Sequence, residues 1–135
     1  MTAAETGHLV FSTLHTIGAA NTIERIIDVF PPNQQRQITI QLASVLQAVI
    51  SQQLIPSVDG TLIPVFEIME VTPAIRNMIR ENKVHQIDGL IYSSTGSGMM
   101  SMDQSLMQAY SDGKITKETA VLYALNAEML SKRLR

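Results

Sequence analysis

The chain has 135 residues, the length of one domain and too few for two of ordinary size. Apolar residues make up 45% and charged ones 16%, a globular composition that excludes a disordered chain. A formal net charge of -2 leaves no basic excess to point to nucleic acid, and the absence of cysteine excludes disulfides, thiol catalysis and Cys-ligated metals.

The first element expected is a strand at His8–Thr13, apolar on both faces through its centre and so suited to a sheet covered on both sides. Thr16 is placed as the N-cap of a helix whose apolar positions Ile17, Ala20, Ile23, Ile26, Ile27 and Phe30 run up to Pro31 and Pro32. A longer helix follows, with Ile38, Leu42, Val45, Leu46, Val49 and Ile50 on one stripe. Gln52–Ile55 and Leu62–Met69 read as two strands, and Asp59 with Gly60 between them favours the positive φ of a tight hairpin turn.

From Thr72 onward the chain reads as helical. Thr72 caps and Pro73 takes the first helical position, opening Ala74–Glu81. Val84, Ile87 and Ile91 suggest a short helix, and Ser94–Gly98 a flexible connection. Ser101 and Gln104 have capping-box spacing and start a helix through Tyr110 that Asp112 and Gly113 end. Thr116 and Asn126 cap the last two helices. No stretch approaches the ~18 consecutive apolar residues of a membrane span, and the N-terminus has no signal-peptide pattern, so a soluble protein is expected. A strand buried on both faces needs neighbours, yet only one hairpin follows. The chain is therefore expected to begin partway through a larger α/β domain.

Few residues could carry chemistry. His8 and His15 are seven apart, so on an extended strand they cannot share a metal ion, and no carboxylate or Cys stands at ligand spacing. No metal site is expected. His15 follows the C-terminal end of the expected strand and precedes a helix, the crevice where open α/β sheets bind ligands. A histidine there can donate to a phosphate oxygen. On spacing alone, a ligand role and a hydrogen-bonded structural role both stay open for His8 and His15. Gly96, Ser97 and Gly98 do not form a phosphate loop, because Met99 and Met100 stand where G-x-x-x-x-G-K-[ST] needs Lys and a hydroxyl. Arg76 and Arg80 lie four apart, opposite Ile75, Met78 and Ile79. By pattern alone this is an amphipathic helix with solvated arginines.

The segment Thr6–Thr16 resembles the His box of the secretion-type P-loop ATPases, and Ala74–Glu81 matches the signature octapeptide of the type IV pilus retraction ATPases, the motors of twitching motility. Arg25–Gln41 and Val71–Asp88 are similar to the same family, so the resemblance spans essentially the whole chain. It implies an α/β fold: the C-terminal part of a RecA-like ATPase domain, with one buried strand plus a β-hairpin, followed by a helical C-terminal subdomain. Residues 1–70 would be the core with the His box, and 71–135 the helical subdomain with the octapeptide. The family's P-loop, acidic motif and Walker B precede the His box. The chain is therefore expected to start just after Walker B and to be inactive alone. ATP and Mg2+ would belong to the full-length protein, with neither bound by this chain by itself.

The resemblance also implies roles. His15 matches the catalytic His-box histidine near the γ-phosphate, and Thr6, His8 and His15 match nucleotide-sensing positions. Ala74, Ile75, Arg76, Asn77, Met78, Ile79, Arg80 and Glu81 match the helix that couples the motor to retraction. A homo-hexamer is implied, on the cytoplasmic face of the inner membrane and against the pilus platform protein, with no nucleic acid and no membrane insertion. Extension ATPases of the superfamily usually carry a four-cysteine zinc subdomain. A cysteine-free chain with a short hairpin in that region favours retraction. The alternative is a non-catalytic helical module that docks on pilus machinery through Arg76 and Arg80.

Overall fold

The centre of the molecule is a β-hairpin. In the computed structural model, which describes residues 1–94 and 98–134, β1 (Ala48–Pro56) and β2 (Leu62–Glu70) pair antiparallel. Val49 lies opposite Met69, Ser51 opposite Glu67, Gln53 opposite Val65 and Ile55 opposite Ile63. These alternate positions form the inner face. The connection is longer than a two-residue turn. Ser57 N–H donates to the Thr61 carbonyl at 2.9 Å, and Gly60 takes φ +83°, which Gly adopts without strain. The Asp59 carboxylate accepts from Ser57 Oγ, Thr61 Oγ1 and the Thr61 amide, and these bonds hold its pKa down at about 2.

Helices cover the inner face from both ends. Near its open end, Val49, Met69 and Val71 join a core with α2 (Ala19–Asp28), α3 (Pro32–Val45), α4 (Pro73–Arg80) and α5 (Ile87–Ser93), the last preceded by a 3-10 turn at Val84–Gln86. Near the turn, Ile55 and Val65 join a second core with α6 (Met102–Ser111), α7 (Lys117–Leu122) and α8 (Ala127–Arg133). Ser51 and Glu67 lie between the two.

Most expected caps form. Thr72 Oγ1 accepts from Ile75 N at 3.3 Å, Thr116 Oγ1 from Thr119 N at 3.2 Å and Asn126 Oδ1 from Met129 N at 3.1 Å. Ser101 and Gln104 close the full capping box. Gly113, at φ +70°, ends α6 with paired bonds from its own amide and that of Lys114 back to Tyr110 and Ala109. Of the expected connection at Ser94–Gly98, residues 95–97 lie outside the described residues.

Three expectations are corrected. Residues 8–14 form no strand, and Leu9 (83%) and Phe11 (89%) are exposed rather than buried. An extended segment becomes a strand only when another backbone completes its ladder, and the only described strands already pair with each other. Thr16 does not cap α2; Gly18 is the N-cap, at φ +92°. The stripe from Ile38 to Ile50 spans two elements. Leu46 turns extended at ψ 130°, so Val49 and Ile50 belong to β1. A short α1 (Thr2–Glu5) precedes the extended segment.

Leu9, Phe11 and Ile17 leave apolar surface open along that segment. The purified 14.9 kDa chain should therefore run as dimers or larger species in light scattering, and Leu9→Ser with Phe11→Ser should shift it toward monomer. A wild-type chain that is already a sharp monomer peak would show that the segment is not adhesive.

Candidate functional site

Two regions hold the residues singled out in the sequence: the extended segment with its exit into α2, and α4. Thr6 and His8 meet just beyond α1. Thr6 Oγ1 lies 2.9 Å from the Ala3 carbonyl and 3.0 Å from His8 Nδ1, which is itself 3.1 Å from the same carbonyl. Carbonyls only accept, so the single Thr6 proton is committed to Ala3. The proton on His8 is then assigned to Nδ1, leaving Nε2 available to a ligand. His15 is exposed and makes no hydrogen bond or ion pair with a described residue. The structure does not bring His8 and His15 together around a shared centre.

The turn that carries His15 is held firmly. Thr22 Oγ1 donates to the Gly18 carbonyl at 2.8 Å, so the 2.8 Å contact between Thr16 Oγ1 and Thr22 Oγ1 has Thr16 as donor. The Gly18 amide donates to Ser51 Oγ at 3.2 Å and the Ala19 amide to Glu67 Oε1 at 2.7 Å. These amides open α2, whose N-terminal donors would otherwise be unpaired, and a carboxylate suits that end of the helix dipole. Glu67 is only 1% exposed, and burial raises its pKa. The Ala19 and Met102 amides oppose that rise, while the charges of Asp88 and Asp103 add to it. Asp88 is raised too, by burial and then by the charge of Glu24.

Ser51 and Glu67 were not anticipated. One signal was legible: a lone carboxylate inside the otherwise apolar run Leu62–Met69. Its partner amide lies 48 residues away, beyond any local pattern.

On α4, Ile75 and Ile79 are fully buried, Met78 packs against the same core, and Ala74, Asn77 and Arg80 are exposed. The two arginines part company, contrary to the expectation that both are solvated. Arg76 Nη1 donates to the Ala43 and Ser44 carbonyls at 2.6 and 3.0 Å, and Nη2 to Gln47 Oε1 at 3.4 Å. It thereby caps the C-terminus of α3, where a cation is favoured. One turn later, Arg80 makes its one hydrogen bond among the described residues to Asn77 Oδ1, at 3.2 Å. Glu81 ends the helix, exposed and paired with Lys83 at 2.6 Å, and that ammonium lowers its pKa. Asn82, at φ 57°, completes the cap as Lys83 N–H reaches the Met78 carbonyl at 2.8 Å.

Among the described residues no group of three or more His, Cys, Asp and Glu is placed to hold a metal ion, and no helix is long and apolar enough to cross a membrane.

The family described as type II/IV secretion system protein matches residues 1–63. The twitching motility protein of Neisseria gonorrhoeae is 48% identical over 97% of this chain, and the type IV pilus retraction ATPase PilT of Pseudomonas aeruginosa is 48% identical over 89%. A crystal structure of the pilus retraction motor PilT with bound ADP superposes on 97% of the chain with a TM-score of 0.85 and 44% identity. By sequence and by fold, this chain is a homologue of the pilus retraction ATPases. The chain spans 35% of the length of each of the two curated relatives and 36% of that solved motor. The homology takes in both regions just described: the extended segment with its exit turn, and α4.

Proposed function

We propose that this chain is the part of a hexameric ATPase motor that joins a nucleotide-facing His box to the helix coupling hydrolysis to type IV pilus retraction. The observation that carries the reading is the continuity of one fold, 97% of it shared with a retraction motor, from the His15 turn to α4. Retraction rather than extension is favoured by the octapeptide and by the absence of cysteine.

The chain's own residues divide the work. His15, exposed on a braced turn, can donate to a phosphate oxygen, and His8 Nε2 is left open to a ligand at the other end of the segment. ATP binds and is hydrolysed with Mg2+ in the complete protein, whose P-loop supplies the amides and lysine that phosphoryl transfer requires. The exposed face of α4 then meets a neighbouring subunit or the inner-membrane platform protein, on the cytoplasmic side.

Two measurements test this. The purified 135-residue chain should show no magnesium-dependent ATP turnover. In the complete protein, His15→Ala should lower kcat by about a hundredfold, the scale of removing one group that stabilises transition-state charge. Turnover by the chain alone, or full activity of His15→Ala, would sink the reading.

A further inference from the structure

We infer that Ser51 and Glu67 are positioning residues for His15: the hairpin sets where the His15 turn stands, and so whether that histidine can reach its ligand. The inference rests on the proposed nucleotide-facing role of His15 and goes beyond it. His15 has no bond of its own to the described structure, so its location is decided by the residues that follow it. Thr16 and Gly18 are tied to α2 through Thr22, and the amides of Gly18 and Ala19 are tied to Ser51 and Glu67. Ser51 and Glu67 face each other across the hairpin, so one rigid pair of strands grips two successive amides. Gly18 is the N-cap of α2. Its φ of +92° is strained for any other residue, and a Cβ there would stand 3.9 Å from Glu67 Oε1.

The grip lies where both cores meet. Val65 belongs to the core built with α6–α8 and Met69 to the core built with α2–α5, and Glu67 stands between them on β2. Glu67 therefore links the strand on which α6 packs to the amide that opens α2. Phe66 N–H already donates to Ser105 Oγ of α6 at 3.1 Å, and the Ile68 and Met100 backbones exchange bonds of 2.8 and 3.0 Å. A carboxylate buried between two cores is costly unless its bonds are kept. This one accepts from the amide that opens α2 at 2.7 Å.

The test uses the complete protein for ATP hydrolysis and the 135-residue chain for amide hydrogen exchange. Glu67→Ala should lower kcat about tenfold with KM for ATP within about twofold, since a displaced catalytic group costs rate rather than binding. Glu67→Gln keeps an acceptor for Ala19 and should recover most of the rate. In a His15→Ala background, Glu67→Ala should change kcat by less than about twofold, because the two act through one path. In the chain itself, exchange at Gly18 and Ala19 should quicken in Glu67→Ala while amides of α8 stay unchanged. Should Glu67→Ala fail to fold, Ser51→Ala carries the same readouts, with faster exchange at Gly18 and a few-fold lower kcat. An unchanged rate in a folded Glu67→Ala or Ser51→Ala overturns the inference. So does a Glu67→Ala loss of the same size with and without His15. Full activity of His15→Ala instead overturns the underlying nucleotide reading, whatever Glu67 does.

Discussion

Arg76→Ala is expected to destabilise the protein by about 1–3 kcal/mol, the scale of lost hydrogen bonds from a charged donor. Arg80→Ala should cost no more than about 0.5 kcal/mol, as an exposed substitution. The two lie one turn apart on α4, and their pattern in the sequence is identical. The difference comes from α3, whose last carbonyls meet the Arg76 guanidinium but not that of Arg80. Arg76→Lys should recover only part of the loss, because an ammonium cannot reproduce the forked contact with Ala43, Ser44 and Gln47. Ile79→Ala, on the buried face, sets the upper mark at about 2–5 kcal/mol. Urea unfolding of the four variants orders them. An Arg76→Ala midpoint equal to wild type would show that the α3 cap is unimportant. In the complete protein, Arg80→Ala should abolish twitching while hydrolysis stays within a few-fold, because its guanidinium is available to a partner. Collapse of hydrolysis in Arg80→Ala would instead place α4 within the catalytic assembly.

What the sequence disclosed follows from how far each interaction reaches along the chain. Thr72, Ser101, Thr116 and Asn126 bond amides three residues on, so a local pattern identifies them as caps. The stripe from Ile38 to Ile50 misleads, because Val49 and Ile50 satisfy a helical period and a strand alternation equally well. The exit into β1 is decided at Leu46, where nothing in composition marks the change. His8–Thr13 has the composition of a buried strand, but a strand is a property of two segments. Arg76 and Glu67, the residues that brace the two candidate regions, find partners 33 and 48 residues away. Their type was visible and their task was not. The octapeptide resemblance identified α4 as a unit, yet only the packing divides it into a buried face, an internal cap and one exposed guanidinium.

The stability of the chain should fall as pH rises from about 4.5 toward neutrality, and Glu67 should account for much of that fall. Its folded pKa is raised above the ordinary glutamate value of 4.5, first by burial and then by the charges of Asp88 and Asp103. Below that value the carboxyl is protonated in both states, and burial carries no ionic cost. As pH rises, the unfolded chain loses its proton first, so the folded state holds more protons and stability declines until Glu67 itself ionises. Asp88 has the same sign with a smaller share, since its side chain is more open to solvent. On the acid side, Asp59, Glu81, Asp112 and Glu118 have lowered pKa values, so their contributions disappear as pH drops through them. All four are exposed, and salt should flatten that limb. Glu67→Gln separates the two limbs. It cannot ionise, so the stability difference from wild type at about pH 4, where the wild-type carboxyl is protonated too, should move in favour of Glu67→Gln between about pH 4 and pH 8, because only the wild type meets the cost of a buried charge. Denaturant midpoints for both proteins across that range decide it. A difference independent of pH would mean that Glu67 titrates alike in the folded and unfolded chain, and that the decline, if present, belongs to Asp88.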